Sequence, residues 1–176
     1  MNHEIILAGF GGQGILFAGK LLVYTGMIFD KAVSWLPSYG PEMRGGTCNC
    51  HIILNDTAVG SPYVVTPTEA IVLNKPSFEK FEGSIVSGGK LFYDSSLCDN
   101  EHKRDDIEYI GIPATTMAYE LEAAQLANMV ITGKVLKETG MFELNDVFTA
   151  LEKLIPPKRA QMLDINKKAI EAGFNF

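Results

Sequence analysis

Apolar and polar positions change period several times along the chain, and each change marks an element. "HEIILAG" (His3 to Gly9) is a short continuous apolar run, the pattern of a buried strand. "QGILFAGKLLVYTGMI" (Gln13 to Ile28) is long enough for a helix and apolar on most sides. Gly19 and Gly26 weaken that helix intrinsically, so packing must hold it. "KAVSWL" predicts a second strand, and "PSYGPEMRGG" (Pro37 to Gly46), with prolines, glycines and no apolar period, predicts a loop. "TCNCHIILND" and "TAVGSPYVV" read as two strands of a hairpin turning at Asn55-Asp56. "EAIVLN", "KLFYD" and "IEYIGIP" predict further strands, with a short helix at "SFEKFEG" and a charged surface connection at "CDNEHKRDD".

From Ala114 onward the pattern is helical throughout. "TTMAYELEAAQLANMVITGKVLKETG" predicts two helices, or one broken near Asn128; its apolar positions Met117, Leu121, Leu126 and Met129 read as core. "ELNDVFTALEKLI" places Leu144, Val147, Phe148, Leu151 and Ile155 at helical spacing, and Pro156-Pro157 opens a last helix. The succession predicts a three-layer α/β fold: a mostly parallel sheet with an antiparallel hairpin, a Rossmann-like first βαβ unit and a helical C-terminus.

At 176 residues, with 47% apolar and 20% charged positions, the chain predicts one domain spanning residues 1–176 and no long disordered tract. A net charge of −6 argues against nucleic acid or an anionic membrane as partner. No apolar run is long enough to span a bilayer and the N-terminus lacks the features of a signal peptide. Cys48, Cys50 and Cys98 form no disulfide framework, which fits a reducing cytoplasm. Cys48 and Cys50 alternate along a strand and share a face, while His51 points away, so a metal there lacks ligands and the pair reads as ordinary buried thiols. Ser95-Ser96 lacks a nucleophile-elbow sequence and reads as a strand-end turn.

The sharpest local signal is "AGFGGQGI", with Gly9, Gly11, Gly12, Gln13 and Gly14 between the first strand and first helix. Such a loop lets backbone N–H groups close on an anion at the positive helix end. A dinucleotide site also needs an acid at the end of the second strand. Asp30 has the right distance in sequence but precedes that strand, so an independent Rossmann-type nucleotide-binding enzyme is the secondary reading. The glycines also have a plain use, a tight turn and close helix packing. In a parallel sheet "GFGGQG" and "PSYGPEMRGG" leave their strands at one end, and together they offer one surface carrying Ser38, Tyr39, Glu42 and Arg44. Arg44 reads either as a surface charge or as a bidentate partner for a carboxylate or phosphate. Tyr39 reads as an interface anchor.

"GFGGQGI…AGKLL", "PSYGPEMRGG", "SPYV", "YDSSL", "IPATTMAYEL", "LANMVITG" and "INKKAIEAG" together resemble the gamma subunit of 2-oxoacid:ferredoxin (or acceptor) oxidoreductases, from about Gly9 to Gly173. Phe10 departs from that pattern, where glutamine is the more frequent residue, and leaves the glycine spacing intact. The resemblance implies a complex that decarboxylates a 2-oxoacid on thiamine diphosphate with Mg2+, passes electrons through iron–sulfur clusters and transfers the acyl group to coenzyme A. It implies that alpha, beta and ferredoxin-like delta partners hold those groups and that this chain has no catalytic residue, metal or cofactor of its own. Coenzyme A is the candidate ligand at the interface, and the uncovered surface offers the isolated chain a homodimer contact. The sequence agrees, having neither a Cys-x-x-Cys-x-x-Cys run nor a GDG-type thiamine–magnesium motif.

Overall fold

The computed structural model describes residues 1–38 and 47–176. These form strands β1 (Asn2–Phe10), β2 (Ala32–Ser38), β3 (Thr47–Asn55), β4 (Glu69–Val72), β5 (Lys90–Asp94) and β6 (Glu108–Ile112). The helices are α1 (Ile15–Ile28), α2 (Lys75–Phe81), α3 (Ala114–Glu120), α4 (Ala127–Thr139), α5 (Leu144–Leu154) and α6 (Gln161–Asn175).

The strands make one mixed sheet in the order β2-β3-β1-β4-β5-β6. Pairings β1–β4, β4–β5 and β5–β6 are parallel, and both pairings of β3 are antiparallel. Strands β1 and β2 therefore run the same way, as in a Rossmann βαβ unit, but β3 lies between them. An antiparallel hairpin exists, but not where the Asn55-Asp56 signal suggests. Strand β3 pairs with β2 from Ala32↔Asn55 to Ser38↔Asn49 and with β1 from Asn2↔Asn55 to Phe10↔Thr47. Both its edges are taken, so residues after Asn55 have no ladder to join. "TAVGSPYVV" instead runs as turns and bends, held locally by Thr57 N–H donating to Asn55 Oδ1 and Tyr63 N–H to Ser61 Oγ.

Alternation along the strands splits the core. Ile5, Leu7, Cys50, Ile52, Ile71 and Phe92 meet α1 and α3–α6 on one face; Ile6, Ala8, Ile53, Ala70, Val72 and Leu91 meet Phe78 of α2 on the other. Helix α1 lies between the β2–β3 sheet and α5, which explains why it is apolar on most sides. Its two glycines sit where the sheet comes closest: a Cβ at Gly19 would lie 2.6 Å from Cys50 Sγ, and one at Gly26 would lie 2.9 Å from Val33 Cγ1. Helices α4 and α6 cross at Gly133 and Gly173. A Cβ at either would overlap a carbonyl oxygen of the opposite helix, Ile170 O or Val130 O.

The break between α3 and α4 falls at residues 121–126, just before Asn128, and Met129 and Leu126 are buried as core. The two prolines open a 3₁₀ turn, Pro157–Arg159, and α6 follows from Gln161. Among the described residues no helix is long and apolar enough to cross a membrane.

Candidate functional site

The sheet gathers the ends of β1, β2, β4 and β5 at one side. Phe10 pairs with Thr47, and Ser38 pairs with Asn49 one strand further out. Thr47 stands at the start of the glycine loop, and Ser38 and Thr47 flank the segment 39–46. Tyr39, Glu42 and Arg44 lie in it, outside the described residues; Ser38 is exposed at its start.

The loop itself has two kinds of glycine. Gly14 caps α1 with a left-handed φ of 73°, and a Cβ there would overlap the Asn128 amide. A Cβ at Gly9 would sit 2.6 Å from Gln13 Oε1. Both positions are closed by packing. Gly12, with φ 100°, has nothing among the described residues within 4 Å of where a Cβ would stand, so its glycine serves the backbone turn and leaves that surface open.

Gln13 holds the turn from below. Its Oε1 accepts Phe10 N–H at 2.6 Å, its Nε2 donates to Leu73 O at 2.9 Å, and its own N–H donates to Phe10 O at 3.1 Å. The side chain thus joins β1 to the end of β4. From α4, Asn128 Nδ2 donates to Gly14 O at 3.0 Å. Helix α1 starts with no side-chain cap and no acidic residue in its first turn. The positive end of its dipole is therefore not neutralised from within the helix. Phe10 is exposed beside it.

Further along the same sheet end, Asp94 is fully buried. Its carboxylate accepts from Thr115 N–H at 3.1 Å, Thr115 Oγ1–H at 2.5 Å and Ser96 N–H at 3.0 Å. It supplies the cap that α3 lacks from its own N-cap residue, Pro113, and it makes the Ser95-Ser96 stretch a turn. Asn74 caps α2 by accepting Ser77 N–H at 2.8 Å. Sequence reasoning passed over Asp94, Asn74 and Asn128. The available signals were a carboxylate at a strand end before two serines, an asparagine at another strand end, and a single amide in the apolar "LANMVITG".

The dinucleotide reading loses its acid here. Asp30 follows α1, at the start of β2 and so at the opposite end of the sheet from the loop. With β3 between β1 and β2, the strand that carries the ribose-binding acid in a Rossmann fold is also moved one place away from β1. The three thiols are buried; desolvation pushes Cys50 and Cys98 up to about 12, which keeps them protonated and unreactive. Among the described residues no three His, Cys, Asp or Glu side chains gather as a metal site.

Comparison with known proteins agrees with this geometry. Residues 4–176 match the family model for pyruvate ferredoxin/flavodoxin oxidoreductase. Ketoisovalerate oxidoreductase subunit VorA of Methanothermobacter marburgensis is 36% identical over 98% of this chain; the chain spans only 36% of that relative's length. 2-Oxoglutarate synthase subunit KorC of Methanocaldococcus jannaschii is 30% identical, over 89% of this chain and 85% of its own. The crystal structure of a keto/oxoacid ferredoxin oxidoreductase gamma subunit from Geobacter sulfurreducens PCA superposes with a TM-score of 0.83 at 25% identity, covering 98% of this chain and 96% of that one.

Proposed function

The chain belongs to the pyruvate ferredoxin/flavodoxin oxidoreductase family, and from that premise we propose that it works as the gamma subunit of a thiamine-diphosphate-dependent 2-oxoacid:ferredoxin (or acceptor) oxidoreductase in the cytoplasm. The complex converts a 2-oxoacid to its acyl-coenzyme A. On this reading the alpha, beta and ferredoxin-like delta partners hold thiamine diphosphate, Mg2+ and the iron–sulfur clusters. This chain, acting as one domain, contributes assembly and a coenzyme A contact. The 2-oxoacid is 2-oxoglutarate or a branched-chain acid, the substrates in the names of the two sequence relatives described above.

The observation that carries the coenzyme A contact is the open Gly12 over an uncapped helix start. A pyrophosphate carries charge that suits the α1 dipole, and the glycine leaves room for close approach. Gly11, Gly12, Gln13 and Gly14 form the contact, with the Gln13 N–H itself held by Phe10 O; Gly9, through its fit against Gln13, keeps the turn in place. Ser38, Tyr39, Glu42 and Arg44 supply the neighbouring contacts, with Arg44 toward phosphate and Tyr39 toward a partner chain. Coenzyme A supplies the thiol that accepts the acyl group; this chain's residues hold and orient its charged end.

The test uses the reconstituted complex. The isolated chain given oxoacid, coenzyme A and a dye acceptor shows no reduction above background, and the complex turns over. In the assembled complex Gly12→Ala raises the coenzyme A concentration for half-maximal rate several-fold and leaves the oxoacid requirement alone. Turnover by the isolated chain overturns the subunit reading. An unchanged coenzyme A requirement in a normally assembled complex removes the ligand from this loop.

A further inference from the structure

On the face of the sheet away from α1, the β2–β3 half has no helix over it among the described residues. Helix α2 covers β1 and β4 and ends short of β3. The gap is a cavity of about 500 Å³. Its floor is two rows of paired residues, Leu36–His51–Ile6 and Ser38–Asn49. One wall is Tyr63–Val65; the other is the end of α2, with Lys80, Phe81 and then Ser84.

The chemistry of this lining is one-sided. Leu36, Val64 and Phe81 are apolar, and no carboxylate contributes among the described residues. Lys80 is exposed and forms no ion pair among the described residues; its ammonium rests 5.2 Å from the Phe81 ring centroid. His51 is buried and stacked on Tyr63 at 4.6 Å. Its Nδ1 accepts Val64 N–H at 3.2 Å, so the neutral ring carries its proton on Nε2, leaving that N–H as the free donor. Burial lowers the His51 pKa and favours this neutral form. An ammonium and a fixed N–H beside apolar walls suit a group that is negative at one end and greasy at the other.

We propose that this pocket binds a small organic anion, an apolar body bearing one carboxylate, with Lys80 and the His51 Nε2–H meeting the carboxylate and Leu36, Val64 and Phe81 enclosing the body. The site borders the glycine-loop surface at Ser38, but its anion contacts, Lys80 and His51, lie outside that surface, so it does not depend on the coenzyme A contact. The experiment titrates the full ¹⁵N-labelled chain with 4-methylpentanoate and, separately, with its uncharged isostere 4-methylpentanamide. The carboxylate saturably shifts the amide signals of Asn49 and Val64, and the amide binds about tenfold more weakly, the ratio that one charge-assisted hydrogen bond supplies. Lys80→Gln, an exposed change that leaves the fold intact, removes that ratio by weakening the carboxylate alone. Leu36→Trp fills the floor and excludes both probes. Equal affinity for the two probes, no saturable shift with either, or indifference to Lys80→Gln overturns the proposal. So does a pocket that takes neither probe while partner chains protect Lys80 from acetylation, because that result gives the pocket to a partner's acidic side chain.

Discussion

Glycines build both the crossing of α4 with α6 and the loop before α1, and they do opposite things there. At the crossing, the space where Gly133 and Gly173 lack side chains is filled by the backbone of the facing helix. At Gly12 no described residue fills that space. A glycine whose missing side chain is replaced by protein is a packing device. One whose missing side chain leaves an opening on an uncapped helix start is available to something else. Gly9 and Gly14 belong to the first kind although they lie in the fingerprint. The fingerprint is thus partly scaffold and partly surface, and substitutions separate the two.

The largest effect is expected at the crossing. Gly133→Ala puts a methyl into a backbone carbonyl that no rotamer change can clear, and urea unfolding should show a loss above about 3 kcal/mol. Gly83→Ala, at a position with open space and no positive φ, should change stability by less than about 0.5 kcal/mol. A loss at Gly133 as small as at Gly83 would break the distinction.

Asp94→Asn comes next. The buried carboxylate serves three donors, and the amide puts its NH2 against one of them, so a loss of about 2–3 kcal/mol is expected in the same assay. Gln13→Ala removes two hydrogen bonds that hold the loop to Phe10 and Leu73 and should cost about 1–2 kcal/mol. Its hydrogen-exchange signature should be faster exchange at the Phe10 N–H, with α4 and α6 unaffected. Gly12→Ala should cost only about 1 kcal/mol, from the left-handed backbone and not from any clash.

The smallest effect is confined to acid. Arg104 hydrogen-bonds Asp106 and holds its carboxyl down to about 2. A depressed folded pKa stabilises above the ordinary carboxylate range and is lost as pH falls from about 4 through about 2. Asp106→Asn should therefore lower the urea midpoint slightly at pH 6, with the difference from the parent protein vanishing near pH 2. The group is exposed, so salt should shrink the difference. A difference that persists unchanged at pH 2 contradicts the ion-pair origin.

Much of this was legible in the chain. The run at Ile5 to Ala8 and the change of period at Gln13 mark β1 and α1, because a twice-covered strand and a buried helix leave different apolar spacings. Gly19 and Gly26 announced that packing must hold α1, and the sheet contacts at Cys50 and Val33 supply it. The hairpin at Asn55-Asp56 misled because turn chemistry is local, while whether β3 has a free edge depends on β1 and β2. Gly133 and Gly173 look like weak points of two separate helices; their mutual contact exists only in three dimensions. Likewise Lys80 and His51 come together only through the sheet order and the shortness of α2. Of the stretch "PSYGPEMRGG", the structure describes Pro37 and Ser38, both at the end of β2.

The central claim is that this chain is a subunit whose glycine-loop end faces its partners and coenzyme A. Hydrogen–deuterium exchange on the complex copurified from the native host, against the isolated chain, tests it most directly. The account predicts copurifying chains with thiamine diphosphate and iron–sulfur motifs, and slowed exchange at Gly12, Gln13 and Ser38 in the complex, with further slowing at Gly12 and Gln13 on adding coenzyme A. A chain that purifies without partners, or a complex in which those amides exchange as fast as in the isolated chain, would contradict it.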